Sequence, residues 1–448
     1  MLYVVVALMI VSLVAAACQT GTARPSSSRP QPTHQATSQP AQQPGPTGPT
    51  PAAGAAAQDP ATAARIRDIL QTMHTHAFNP QAPAPKGSTR SGGLFINWRG
   101  TWDGDLKTAS SNTNVQSSAL SDSEAGSNPR HDPLTDLVYL RNLYAYRARH
   151  PDDRAYANDI ARMEPIVKDE FAASTYYRCW VYFHLRDLDR TGPGQGWDAI
   201  ASHFADGVYR RFYDAQAGTI VESGGGTYRT DFAAECGAML IDAGHRQGNA
   251  AWTQAGASTL SHLLQQARNP TTHLFPLRMQ LGQPRDAVVQ AQLKVGEEAQ
   301  LLDSYLLAYD VTSDARYLEA AIQGTQSLYD PATGLLDKTG GGFFFSIDAG
   351  GQNLQSSYKE TRQAWMVPLL AHLNRVGAVG QWADLERAMA GVVRDRLWQP
   401  SIGGYPYRES PGFTLYQTSG GRGHTPVTEN FASSEAMGIA YEALDAAT

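Results

Sequence analysis

The chain has 448 residues, with 36 lysines and arginines against 42 aspartates and glutamates and a formal net charge of −6. That balance gives no global attraction to nucleic acid, so no nucleic-acid partner is expected. Apolar residues make up 42% of the chain, enough for a sizeable core, but roughly the first 60 positions do not read as globular.

Residues Leu2 to Ala17 form an uncharged apolar run that ends in Ala15-Ala16-Ala17-Cys18. The run is shorter than the roughly 20 residues of a membrane span. It has the apolar core and small-residue cleavage site of a secretory signal. A cysteine directly after the small residues resembles a bacterial lipoprotein signal. The resemblance implies that Cys18 becomes a lipidated N-terminus, holding the protein at the outer face of the cytoplasmic membrane; plain secretion is the alternative. Residues 19–60 are dense in Pro, Ser, Thr, Gln, Gly and Ala. Such a segment buries too little apolar area to offset its chain entropy and is expected to be a disordered tether. Residues 61–448 remain as one large domain.

Within that domain, apolar spacing at i, i+3, i+4 and i+7 predicts twelve helices. They fall over 61–77, 133–149, 152–171, 175–190, 197–212, 229–247, 249–268, 294–312, 314–329, 358–376, 380–397 and 429–446. The even-numbered helices are apolar nearly all round, as in Leu301-Leu302 with Tyr305-Leu306-Leu307. Helices of that kind belong in an interior. The odd-numbered ones carry charge on one side, as in Trp382-Ala383-Asp384-Leu385-Glu386-Arg387, and form an outer layer. Inner helices are followed by short turns such as Gln247-Gly248-Asn249 and Ser313-Asp314, whereas most outer helices are followed by long links with short β-like pieces. Short links join antiparallel neighbours, and long ones are usually functional. One end of the assembly is therefore trimmed, and the other carries the elaborated loops.

A phrase recurs in those long links. Tyr213-Asp214…Gly218 precedes Asp231 and Glu235, and Tyr329-Asp330…Gly334 precedes Glu360. Weaker copies are Asn269-Pro270 before Glu297 and Glu298, and Trp398…Gly403 before Glu429. Repeats of this length are structural units that stack. Six inner and six outer helices in alternation make an all-α (α/α)6 barrel of six helical hairpins. The stretch Tyr329-Asp330-Pro331…Gly340-Gly341-Gly342-Phe343-Phe344-Phe345, followed by Lys359-Glu360, resembles the six-hairpin glycosidase superfamily. That superfamily includes glycoside hydrolases, lyases and N-acylglucosamine 2-epimerase-like proteins. The resemblance implies an oligo- or polysaccharide partner and, most simply, a glycoside hydrolase. A non-catalytic glycan-binding lipoprotein and a sugar epimerase or isomerase are the alternatives.

Glycoside cleavage needs two carboxyl groups: one protonates the leaving oxygen, and the other activates water or attacks carbon. Asp231, Glu298 (or its neighbour Glu297), Glu360 and Glu429 each fall in a predicted first helical turn at the elaborated end and are the catalytic candidates. Acids also favour first turns simply because exposed N–H groups and the helix dipole attract them. Glu235, one turn below Asp231, is a candidate for a raised pKa. Tyr177, Tyr228, Phe344 and Trp365 offer flat faces to sugars. Arg178, Arg362, Gln363 and Asn430 offer polar contacts, the arginines being suited to bidentate ones. An epimerase would use histidines as general acid and base, and only His131 and His424 approach the loop-rich end. Cys179 and Cys236 fall on predicted buried helices and are expected to be small apolar residues rather than a bridge. No zinc spacing, calcium loop, phosphate-binding loop or dinucleotide fingerprint is evident, so no metal or cofactor is expected.

Overall fold

The computed structural model describes residues 59–79, 93–94, 97–99, 133–173, 178–222, 225–417 and 431–448. The expected signal, Cys18 and the expected tether up to residue 58 lie outside them, whereas Asp59 and Pro60 cap and open α1. Twelve α-helices are found among the described residues. They are α1 (Pro60–Thr72), α2 (Pro133–Arg149), α3 (Ala157–Ala173), α4 (Trp180–Thr191), α5 (Trp197–Phe212) and α6 (Thr230–Gln247), followed by α7 (Ala250–Gln266), α8 (Val295–Thr312), α9 (Ala315–Tyr329), α10 (Met366–Arg375), α11 (Trp382–Asp395) and α12 (Ser434–Ala446).

The even-numbered helices pack side by side in a closed ring, α2 to α4 and onward to α12, which returns to α2. Each odd-numbered helix packs outside its partner, and α1 closes the last hairpin against α12. The apolar patterning explains this layering. On α8, Leu301, Leu302, Tyr305 and Leu306 are all fully buried, although they point to different sides of the helix. On α11 only Trp382, Met389 and Val393 are buried, a single stripe. The architecture is the (α/α)6 barrel expected from the sequence.

Four helix starts differ from expectation. Helix α3 begins at Ala157, because Asp153 takes up the preceding turn by accepting from the N–H of Ala155 and the hydroxyl of Tyr146. Helix α4 begins at Trp180 rather than 175. Helix α10 is preceded by a strand at Lys359–Glu360 and a 3-10 turn at Thr361–Trp365, and Pro368 sits in its first turn, where a missing N–H costs nothing. Helix α12 begins at Ser434 after a strand at Phe431–Ser433.

The recurrent turn phrase is a real structural repeat. Asp214 and Asn269 each cap a turn by accepting from the N–H groups two and three residues on, and Asp330 accepts from that of Ala332. Four residues after Asp214, Asn269, Asp330 and Gln399 comes a left-handed residue: Gly218 (φ 68°), His273 (φ 59°), Gly334 (φ 66°) and Gly403 (φ 57°). Glycine adopts that conformation without the Cβ penalty, which accounts for three of the four.

Beyond those turns the loops interlock around one end of the barrel. Thr227–Arg229, just before α6, pairs antiparallel with Arg278–Gln280 in the loop before α8. Gln292–Lys294, before α8, pairs with Ser346–Asp348 in the loop before α10. Lys359–Glu360 pairs with Arg408–Glu409, and Phe431–Ser433 with Asn97–Arg99. Backbone N–H groups continue the pattern: Thr230 donates to Leu277 O at 3.2 Å, Val295 to Phe345 O at 3.3 Å and Thr361 to Tyr407 O at 3.2 Å. The start of each of these inner helices is thus fixed by the loop of the next hairpin, which holds their first turns in register around the mouth.

Candidate active site

The inner helices bring their first turns to this mouth. Asp231 accepts from Arg229 through both oxygens, at 3.0 and 2.5 Å. Arg229 also lies 4.0 Å from Glu297, in the first turn of α8. Glu297 Oε1 accepts from Lys294 at 3.2 Å and from Arg362 at 3.1 Å. Arg362 then reaches Glu435, in the first turn of α12, donating to its Oε1 from Nε at 3.1 Å and Nη2 at 2.7 Å. Asp231, Arg229, Glu297, Arg362 and Glu435 form one ionic chain across four inner hairpins.

This geometry bears on helix capping as an explanation for the acids. The outer helices α1, α7 and α9 are capped by side chains of Asp59, Asn249 and Asp314 that accept from their own first turns. At the mouth, Asp231 and Glu435 give their oxygens to arginines instead. The inner helices α6 and α8 have no side-chain cap.

Two buried carboxyls, Glu297 within the chain and Glu360 beside it, are held in opposite protonation ranges. Burial pushes Glu360 up to about 7, with Glu297 adding to the effect against the pull of Lys294, Arg362 and Arg408. Arg408 Nε stands 3.9 Å from Glu360 Oε1. Burial would raise Glu297 too, but Lys294, Arg362 and Arg229 outweigh it and bring the group down to about 2. Near neutral pH these environments leave Glu297 ionised and Glu360 able to hold its proton. Deeper on α6, Glu235 is pushed up to about 8 by burial and by Asp231, against Arg178 and Arg229. Its Oε2 accepts weakly from the Trp180 N–H at 3.4 Å, and its Oε1 is buried without a partner.

Aromatic rings flank Glu360. Phe345 stacks on Tyr358 at 4.4 Å, Tyr416 lies 5.1 Å from Tyr358, and the Arg408 guanidinium sits 4.9 Å over the Tyr358 ring. Arg362 lies 5.0 Å from the Tyr407 ring. On the α6 side, Arg229 and Arg178 approach the Phe232 ring at 4.0 and 5.1 Å.

Several expected site residues have other work. Glu298 accepts from the Phe275 N–H at 3.1 Å, and burial holds its carboxyl well above the usual range, so it pins the 267–294 link. Tyr228 is fully buried and donates to Asp286 at 2.7 Å, anchoring that link instead of facing a ligand. Gln363 is satisfied at both ends, accepting from Phe343 N–H at 2.7 Å and donating to Glu360 O at 3.0 Å. Phe344 packs with Lys359, whose ammonium sits 5.4 Å over its ring. Trp365 is 9% exposed and lines the lumen below the mouth. Tyr177, Glu429, Asn430, His131 and His424 lie outside the described residues.

The expectation of unbridged cysteines is corrected. Cys179 and Cys236 form a disulfide with α-carbons 4.9 Å apart, joining the approach to α4 to the second turn of α6. Burial on neighbouring inner helices, first read as a reason against bridging, is what brings them into range. The bridge fixes Arg178 and Trp180 beside Glu235. Sequence reading also missed Glu435, although an acid after Ser433-Ser434 at the head of an inner helix had the same signature as Asp231.

Taken together, these elements form an (α/α)6 barrel, and the resemblance read from the sequence holds at the level of the fold. Similar solved structures include an unsaturated glucuronyl hydrolase from Bacillus sp. GL1, with TM-score 0.59, 13% identity and coverage of 86% of this chain and 95% of that one. A D-mannose isomerase superposes with TM-score 0.57, 10% identity and coverage of 86% and 96%. The GH76A α-1,6-mannanase from Salegentibacter sp. HEL1_6 does so with TM-score 0.55, 10% identity and coverage of 86% and 98%. No family model and no curated protein sequence matches the chain.

Proposed function

We propose that this protein is an exported glycoside hydrolase in which Glu360 is the general acid and Glu435 the carboxylate that activates water. The observation that carries this reading is Glu360 itself: a buried carboxyl held near 7, beside cations and aromatic rings at the mouth of the barrel. A general acid must be protonated at working pH yet able to lose its proton, which a group near 7 can do. Glu435 fits the second role because Arg362 engages only its Oε1, and its side chain is 23% exposed. Glu297 is a poor base, since three cations hold it near 2, and it positions Arg362 instead. Arg229, Arg362 and Arg408 would orient substrate hydroxyls or a carboxylate.

The fold is shared with proteins that handle sugars; one variant of the mannanase is described in complex with α-1,6-mannotetrose. Export as a Cys18-anchored lipoprotein fits both the signal-like N-terminus and the disulfide, since oxidising compartments favour such bridges. Labelling with a radioactive fatty acid, lost in Cys18→Ala, tests the anchor.

A panel of envelope polysaccharides and aryl glycosides tests the activity. Glu360→Gln and Glu435→Gln should each lower kcat by about 10²–10⁴-fold with folding intact. Full activity in both variants refutes the assignment. Glycan binding without turnover, unaffected by either change, would instead support a non-catalytic binder, a reading favoured by how many mouth acids are tied to arginines.

A further inference from the structure

Among the described residues, the cations at the mouth are nearly all matched to acids. Arg229 is held by Asp231, Lys294 by Glu297 and Arg362 by Glu435, and Arg278 pairs with Glu222 at 2.7 Å. Arg408 faces Glu360. Arg178, two residues before α4, differs: within that set its guanidinium makes no ion pair and no hydrogen bond, and it lies 5.1 Å from the centre of the Phe232 ring. The side chain is half-buried, so part of it remains open to a ligand. Its backbone is held, because Cys179 beside it is fully buried and bonded to Cys236 on α6. A group fixed before its ligand arrives loses little freedom on binding.

Neutralising Glu235 is the plainest structural role for Arg178, and Glu235 does not need it. Burial and Asp231 push that carboxyl up to about 8 against the pull of Arg178 and Arg229, so near neutral pH it keeps its proton. The Arg178 charge is then left without a counter-ion in a partly desolvated place, an unfavourable state that an incoming anion relieves. An anion at Arg229 or Arg362 would compete with Asp231 or Glu435, whereas at Arg178 no pair has to be broken. The chain as a whole carries −6, so this cationic spot is local and not the reflection of a basic protein.

Position ties the spot to the site. In the ring of six inner helices α4 and α10 are opposite members, so Arg178 and Glu360 stand on opposite sides of one mouth. The planar fork of an arginine takes a carboxylate or a tetrahedral oxyanion through two parallel hydrogen bonds. We infer that the substrate is an acidic oligosaccharide crossing the mouth, with its carboxylate or sulfate group on Arg178 and its scissile bond at Glu360. The placement of the scissile bond rests on the hydrolase reading; the anion subsite at Arg178 does not.

The test is calorimetric binding to the full chain, in the Glu360→Gln background so that bound ligand is not cleaved. Tetragalacturonate and a hyaluronan tetrasaccharide are the carboxylate probes, and neocarratetraose sulfate is the sulfate probe. Carboxyl-reduced tetragalacturonate and desulfated neocarratetraose are the neutral counterparts. At least one acidic probe should bind at least about tenfold more tightly than its neutral counterpart, the scale of a charge-assisted hydrogen bond. Raising NaCl from about 0.05 to 0.3 M should weaken the acidic probe alone. Arg178→Gln should weaken the acidic probe about 10–100-fold and erase its advantage over the neutral one, with partial recovery in Arg178→Lys. Arg210→Gln, the same loss of charge on the outer face of α5, should change neither. The inference is overturned if no acidic probe binds up to about 10 mM, if neutral counterparts bind as tightly, or if Arg178→Gln weakens both forms equally, as a purely structural role would. If Arg178→Gln does not fold, the acidic-to-neutral ratio and its salt dependence decide. Arg178-dependent binding without turnover by the wild-type chain would uphold the subsite and sink the hydrolase reading. Glu360-dependent turnover of neutral glycans alone would do the reverse.

Discussion

Glu360→Gln should remove activity and raise stability at alkaline pH in the same protein. Burial raises the Glu360 carboxyl from its ordinary 4.5 to about 7 in the folded state. Between those values the native state binds more protons than the unfolded one, so stability falls as pH rises through this window. The cost is absent below about 4.5 and complete above about 7; at 1.36 kcal/mol per pH unit it totals about 3 kcal/mol. Glutamine has the same shape and never ionises, so the variant escapes that cost, less whatever the attraction to Arg408 contributed. Urea unfolding at pH 4.5, 6, 7 and 8.5 should show the variant near wild type at the acid end and about 1–3 kcal/mol more stable at pH 8.5. A difference that stays flat with pH, or a variant less stable at pH 8.5, would refute the placement of a strained acid at Glu360. Loss of activity without the pH-dependent gain would leave Glu360 important but not as an acid held near 7.

Other perturbations read other parts of the barrel. Replacing both Cys179 and Cys236 with alanine releases a constraint across 57 positions, for which loop-closure entropy gives about 4 kcal/mol; unfolding midpoints should fall and no longer respond to reductant. His372 is raised to about 9 by Asp303 and Asp310 acting against burial, so its contribution is fully present below about 6.5 and lost as pH climbs through about 9. His372→Gln should therefore cost about 3 kcal/mol at pH 6 and much less at pH 10, measured by urea unfolding. Gly342 has φ 68°, and a Cβ there would stand 2.6 Å from Gln363 Oε1. Gly342→Ala should cost about 1–3 kcal/mol and, by displacing the side chain that holds Glu360 O, shift the alkaline limb of the activity profile.

The fold was legible because two periodicities agree. Helical spacing marked twelve segments, and the Asp-to-glycine turns marked where hairpins begin, so Asp214–Gly218 and Asp330–Gly334 located their links before any contact was known. Boundaries failed where tertiary pairing overrides local pattern. The residues before α10 and α12 carry helical spacing, yet they become strands because Arg408–Glu409 and Asn97–Arg99 pair with them. The site was legible only as a set of positions. Adjacent acids such as Glu297 and Glu298 are alike in sequence, but one turns to Arg362 and the other to the backbone of Phe275, a choice made by neighbouring hairpins. The disulfide escaped for the same reason, since 57 positions of separation hide two helices that touch.

The mouth separates anchoring from chemistry at single-residue resolution. In the hairpins of α6 and α10, the residue after the strand is a threonine whose hydroxyl donates to a proline carbonyl in the next loop, Thr230 to Pro276 and Thr361 to Pro406. The next position is Asp231 in one and Arg362 in the other; the corresponding positions on α8 and α12 are Gly296 and Glu435. Backbone and threonine contacts fix the register, so this position can change charge or size without moving the helix start. Gly296 shows why it varies: a Cβ there would stand 2.7 Å from the Arg362 backbone oxygen, so the absent side chain makes room for the arginine that links Glu297 to Glu435. Gly296→Ala should therefore disturb that link while leaving the threonine anchors in place. The expected result is a larger loss in kcat than in stability, and equal losses in both would show that anchoring and chemistry are not separable here.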